Sequence, residues 1–365
     1  MNKVKNILIT LIFVLVIGGF TVVHYALPDN DVSSWERRKL QQMPDITVSS
    51  LFDGSFMRNF ETYLTDQFPL RDSFRSLKAK FHFDVLKQKD NNDVYIVDGS
   101  ASKLDKKIST VSVNKFTGKI TSLYNTYLKD TECKVYFSVI PDKNTFLTES
   151  TLYPHYDYNE LMSLTEKGLP ESFTKIDIAP LLSASSYYNT DSHWKQEEIV
   201  PVANLIRKEL GMKAVEDIEK KDAGEFYGVY YGQSALPLEA DRLVYLTNGE
   251  IEGSVVTNVE KEGETKVYDM TKLDALDRYD VFLSGAVSIL KIANPKGEKG
   301  KELILFRDSF TSSLAPLLVP GYSKVTLIDT RYIPPQSVGN FVTFDNQDVI
   351  FIYGAGIVNN SSSLK

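Results

Sequence analysis

Glu302-Leu303-Ile304-Leu305-Phe306-Arg307-Asp308-Ser309-Phe310 decides how the chain folds. An apolar run of strand length ends in a charged tight turn and passes at Phe310 into a helix start. Short β-rich runs of the same kind recur at Val94–Val97, 135–140, 325–328 and 349–353, with helical patterns near 112–129, 158–166, 195–210 and 310–319 between them. Near-continuous apolar strands separated by helices predict an α/β fold, a doubly wound and mostly parallel sheet covered on both faces. Functional groups in such sheets gather at the carboxyl ends of the strands. That rule points to 141–143, to Arg307-Asp308-Ser309 and to Asp329-Thr330-Arg331. The more polar, strand-like stretch 215–300, with its Asn248-Gly249 turn signal, reads as a small strand-rich elaboration of the sheet.

Within that turn, Ser309 is a candidate nucleophile. A serine there projects its hydroxyl at the top of the sheet, while the following helix start offers unpaired N–H groups and a positive dipole end. Asp and Ser are also ordinary helix caps, so the turn alone does not decide. A serine hydroxyl needs a base to take its proton, and the base needs a partner that fixes its tautomer. Thr190-Asp191-Ser192-His193-Trp194 supplies both, because residues two apart in an extended segment point the same way. The chain has four histidines: His24 lies in the apolar N-terminal segment, His82 in a helical stripe and His155 in a loop, while His193 stands with Asp191 and Trp194 just before a helix start. With one cysteine, Cys133, and no second histidine nearby, Asp191 and His193 do not read as a zinc set, and no metal or cofactor is expected.

The N-terminus sets the compartment. Lys3 and Lys5 precede 7–27, a run without a carboxylate, lysine or arginine that is long enough to cross about 30 Å of hydrocarbon. The segment closes on His24-Tyr25-Ala26-Leu27-Pro28, without a small-x-small cleavage pattern. Residues 1–28 therefore read as an uncleaved signal-anchor, with cleavage the alternative, and the lysines keep the N-terminus cytoplasmic. Residues 29–88 read as an extended stalk followed by two amphipathic helices, broken at Phe68-Pro69, whose aromatic stripes pack on the main domain; 89–365 form that domain. A net charge of -7 with no basic stripe argues against nucleic-acid binding.

These motifs, in this order, resemble the bacterial DHHW family, itself similar to the alginate O-acetylation proteins of the SGNH-hydrolase-like superfamily. The resemblance spans about 33–353: SWERRKL at 34–40 followed by Pro44, FETYLTDQFPLRD at 60–72, VYIVDG at 94–99, IPDK at 140–143, YYNTDSHW at 187–194 and LFRDSF at 305–310. It implies an SGNH-like (flavodoxin-like) fold, circularly permuted, since the Asp/His pair precedes the serine. It implies Ser309 as nucleophile, His193 as base and Asp191 as orienter, with Gly285, Asp308, Arg307, Trp194 and Lys143 as candidate oxyanion- and substrate-binding residues. Arg307 would pair with a substrate carboxylate and Trp194 would stack on a sugar or pack beside the helix. The expected activity is O-acetyl transfer to an extracellular or cell-wall polysaccharide, with a membrane-bound O-acyltransferase as partner. Alternatives are an acetylesterase of the same chemistry and a catalytically silent polysaccharide-binding scaffold. Two positions depart from the family: Ser192 replaces the first histidine of the eponymous motif, and Ala286 follows Gly285 in LSGAV at 283–287, where the oxyanion asparagine would stand.

Overall fold

A computed structural model describes residues 2–147 and 153–365, and the chain divides into two compact units, Met1–Asn92 with Tyr231–Leu238, and Asp93–Tyr230 with Glu239–Lys365. The second unit is built on an eight-stranded sheet. In chain order its strands are β1 (Lys134–Ile140), β2 (Thr174–Lys175), β3 (Val255–Asn258), β4 (Lys261–Thr265), β5 (Ile289–Ala293), β6 (Glu298–Arg307), β7 (Tyr322–Ile328) and β8 (Asp348–Gly354), and they lie in the order β4-β3-β5-β7-β6-β8-β1-β2. The pairings from β7 to β2 are parallel and those from β4 to β7 antiparallel. The sheet is thus mostly parallel and mixed at one side.

Strand periodicity distributes the core. Leu303, Leu305, Ile350 and Ile352 face one apolar cluster; Ile304, Phe306, Val349 and Phe351 face the other. In chain order the α-helices of eight or more residues are α1 (Asn2–Ala26), α2 (Ser55–Asp66), α3 (Arg71–Lys80), α4 (Thr110–Tyr127), α5 (Tyr158–Gly168), α6 (Val200–Glu209) and α7 (Thr311–Leu318). Residues of α6 and α7 join the first cluster, and those of α4 and α5 the second. Burial on both faces is why the parallel strands read as unbroken apolar runs.

Several expectations change. Val94–Val97 is not in the large sheet; it pairs antiparallel with Ser100–Lys103 across Asp98 and Gly99, both at positive φ, the backbone of a two-residue hairpin turn. The stretch 215–300 splits. Glu219–Phe226 and Asp241–Thr247 form their own hairpin, while β3, β4 and β5 extend the main sheet. Asn248 caps a short helix rather than a hairpin, its side chain accepting from the N–H groups of Glu250 and Ile251.

In the first unit, α1 holds a segment, Lys3–Ala26, apolar enough to span a membrane or serve as a signal sequence, with mean hydropathy 2.6. The expected extended stalk is instead folded: Val32–Ser33 pairs with Arg38–Lys39, and Arg38 grips the Asp66 carboxylate with both terminal nitrogens, at 2.8 and 2.5 Å. Of the two stripes expected to pack, Tyr63 is buried and Phe56 and Phe60 half-buried, but Leu64, Phe74, Leu77 and Phe81 are exposed.

Candidate active site

Strand β6 lies between β7 and β8, both parallel to it, so its last residues emerge at the carboxyl edge of the sheet. The turn after it is held from beneath. Asp308 is buried, and its carboxylate accepts the N–H of Phe310 at 3.1 Å and of Gly354, at the end of β8, at 2.6 Å. Burial raises the Asp308 pKa. The N–H groups of Thr311 and Ser312 go to the carbonyls of Asp308 and Ser309. Of the amides of this turn, that of Ser309 takes no part in these bonds.

The partly exposed Ser309 hydroxyl lies 2.9 Å from His193 Nε2, and His193 Nδ1 lies 2.8 Å from Asp191 Oδ2. A carboxylate only accepts, so it draws the imidazole proton to Nδ1 and leaves Nε2 as an acceptor for the serine O–H. Asp191 is fully buried, and its other oxygen accepts the N–H of Val229 at 2.9 Å.

The segment that presents this pair is fixed from two sides. Asp241 accepts the N–H groups of Asn189 and Thr190, each at 2.8 Å, and the Thr190 hydroxyl at 2.6 Å. Opposite it, the Lys143 ammonium donates to the carbonyls of Tyr188, Asn189 and Asp191 at 2.8, 3.2 and 2.9 Å. Gly228 packs so close that a Cβ there would lie 2.1 Å from the Asp191 Cβ, so a side chain is excluded. The serine and histidine segments are also bolted together, because the Trp194 indole N–H donates to the Phe310 carbonyl and the Ser313 hydroxyl, both at 3.0 Å.

Of the residues singled out in the sequence, the structure brings Ser309, His193 and Asp191 together. It gives four of the others supporting places. Trp194 is fully buried, so it packs and does not stack on a sugar. Arg307 is buried beneath the turn, donating to Ser312 Oγ at 3.0 Å and to the Asp308 carbonyl, so it meets no substrate carboxylate. Asp308 braces the turn. Lys143 is buried and spends its donors on the three carbonyls, which removes it from the substrate-binding set. Gly285, at φ 88°, directs its N–H to the Phe282 carbonyl at 3.4 Å, which turns that donor away from an oxyanion.

Tyr279 is the residue the sequence reading missed. Its ring stacks on His193, with centroids 4.1 Å apart and planes 13° from parallel, and its hydroxyl donates to Ser313 Oγ at 2.8 Å. With Phe310 at 5.0 Å on the imidazole as well, the ring is confined. Tyr279 lies in a polar stretch with no local motif to flag it.

Lys143 yields a pH prediction. Burial pushes its pKa down to about 7, with Asp191 and Asp241 opposing the shift. Between that value and its ordinary 10.5 the unfolded chain holds the proton that the folded chain has released, so its contribution to stability rises with pH across this window. Lys143→Met strands the buried Tyr188 and Asp191 carbonyls, at a cost of about 1–3 kcal/mol for each group left unsatisfied, while the Asn189 carbonyl keeps the Ala101 N–H. Thermal melts should place Lys143→Met well below the parent at pH 7, with the gap widening toward pH 10. A gap that narrows over this range would refute the assignment.

No protein-family model and no curated protein matches the sequence. Solved structures do. The chain shares its fold with a DHHW family protein from Eubacterium siraeum, at TM-score 0.59 and 16% identity over 74% of this chain and 94% of that one. It also shares it with Bacillus cereus PatB1 solved with a sulfonyl adduct, at TM-score 0.60 and 16% identity over 73% and 95%. The O-acetyltransferase domain of Pseudomonas putida AlgJ superposes more loosely, at TM-score 0.43 and 9% identity over 70% and 87%.

Proposed function

We propose that the chain is a serine O-acetyltransferase acting on an extracellular or cell-wall polysaccharide through an acetyl-serine intermediate. The observation that carries the reading is the unbroken relay from Asp191 through His193 to Ser309, with contacts of 2.8 and 2.9 Å. Ser309 Oγ attacks the acetyl carbonyl carbon of the donor, and its proton passes to His193 Nε2. The Ser309 N–H steadies the oxyanion. The donor's leaving oxygen departs with the proton from Nε2, leaving acetyl-Ser309. A sugar hydroxyl then attacks that ester, gives its proton to Nε2, and the proton returns to Ser309 Oγ as the acetylated sugar leaves. The polysaccharide acceptor and a membrane-bound O-acyltransferase as donor partner rest on the family resemblance and on an extracytoplasmic position outside the anchor. On the same reading the fold is a permuted SGNH-type sheet, supported by an Asp/His segment that precedes the serine strand in the chain.

The sulfonyl adduct on PatB1 suggests a direct probe. The full chain in detergent micelles should take up one sulfonyl group from a sulfonyl fluoride, on Ser309, and lose the ability to cleave p-nitrophenyl acetate. With an oligosaccharide added, the untreated protein should yield acetylated sugar at the expense of acetate. Acetate alone, unaltered by any acceptor, would make the protein an esterase. Sugar binding with no ester turnover above the Ser309→Ala background would make it a silent binder.

A further inference from the structure

The first unit contains a helix that is inside out for water. Along α3 and the wider turn after it, Leu70, Phe74, Leu77 and Phe81 recur at spacings of four, three and four, which stacks them on one face. That face is bare: Leu77 is 63% exposed and Phe81 48%. Arg71 and Arg75, on the other side of the helix, have side chains only 15% and 20% exposed, and both pair with Glu36, at 2.6 and 3.3 Å. Ala79, on the same side, is buried. Soluble helices do the reverse, turning the ionised face to solvent and the apolar face inward.

The end of α1 tells what covers the bare face. Phe20 stacks on Phe68 with centroids 5.1 Å apart and meets Phe74 edge-on at 5.7 Å. The buried His24 ring packs against Tyr63 at 5.4 Å, and its Nδ1 reaches the Gln67 carbonyl at 3.2 Å. Phe20 lies six residues before the end of the apolar helix, or about 9 Å along its axis. Whatever surrounds Phe20 therefore surrounds Phe68 and Phe74 and continues onto Leu77 and Phe81. Lys78, Lys80 and Lys87 are exposed alongside, where lipid phosphates would lie.

We propose that α3 and the turn Phe81–Val85 lie in the outer interfacial layer of the membrane that α1 enters, with their apolar face among the acyl chains and the lysines at an anionic headgroup layer. The same contacts keep α1 attached. Cleaving it would remove the Phe20 contacts of Phe68 and Phe74 and the His24 contacts of Tyr63 and the Gln67 carbonyl, so α1 is a retained anchor and a structural member of this unit. The inference does not depend on the chemistry proposed for Ser309.

The test uses the full chain in a Cys133→Ser background, reconstituted in phosphatidylcholine–phosphatidylglycerol vesicles. Leu77→Cys, Phe81→Cys and, in the other unit, the exposed Val111→Cys each carry a fluorophore. Labels at 77 and 81 should be several-fold less accessible to aqueous iodide than the label at 111. They should also be quenched by shallow doxyl-labelled lipid at a depth of about 5–10 Å below the headgroup boundary. Iodide access equal to that at 111 would overturn the proposal. Protection that appears in native membranes and not in the vesicles would also overturn it, in favour of a protein partner on this face.

Discussion

Ser309→Ala should lower turnover of an acetyl ester by about 10⁴-fold or more, and His193→Ala should do nearly the same. Both substitutions remove one step, the creation of an alkoxide-like oxygen at the sheet edge. The serine variant has no oxygen to acylate, while the histidine variant leaves a hydroxyl with nothing 2.9 Å away to take its proton. Because the two act as a unit, the double variant should be scarcely slower than either single one. Residual activity in all three would come from the Ser309 backbone N–H, which an alanine retains. The substitution Ser309→Ala removes one hydroxyl from a partly exposed position, so the melting temperature should stay within a few degrees of the parent. If the single losses instead multiplied in the double variant, the relay would not be acting as one device. Full activity in Ser309→Ala would place the chemistry elsewhere.

How much of this could be read without coordinates follows from the range of each interaction. Asp191 and His193 are two residues apart, and Ser309 follows a strand that announces itself, so local spacing was enough to single them out. The parallel strands were legible because both their faces are buried. The antiparallel extension was legible only as a strand-rich stretch within 215–300 and not strand by strand: every residue of β4 is exposed, so it shows neither an apolar run nor a clean alternation. Arg307 and Lys143 were misread as ligands for substrate because charge argues for the surface, and only the tertiary fold supplies the carbonyls and hydroxyls that let them stay inside. Tyr279 reaches His193 across 85 intervening positions of mostly unremarkable sequence, and no pattern spans that gap. The stripe of Phe74, Leu77 and Phe81 showed its period correctly, but a period cannot distinguish a protein core from lipid.

Asp191→Asn should cost about 10⁴-fold in kcat with little change in KM or stability, although it replaces one atom by a near-isostere. The reason lies in the second oxygen. Asp191 Oδ1 accepts the N–H of Val229 at 2.9 Å, and a backbone donor cannot face an NH₂ group. The asparagine must therefore keep its carbonyl toward Val229, and its NH₂ is forced to the side where Oδ2 now meets His193 Nδ1 at 2.8 Å. Two donors cannot share that contact, so Nδ1 gives up its proton and becomes the acceptor. The proton then sits on Nε2, pointing at Ser309 from the nitrogen that ought to receive. The ring stays in place, held by Tyr279 and Phe310, so the defect is one of tautomer and not of position. Nitrogen-15 spectra of the imidazole should report a protonated Nε2 in the variant and a protonated Nδ1 in the parent, at equal melting temperatures. Asp191→Ala leaves the ring free to turn and should not fix the Nε2–H form. An Asp191→Asn protein that kept turnover within tenfold of the parent, with Nε2 protonated, would show that His193 does not serve as the base.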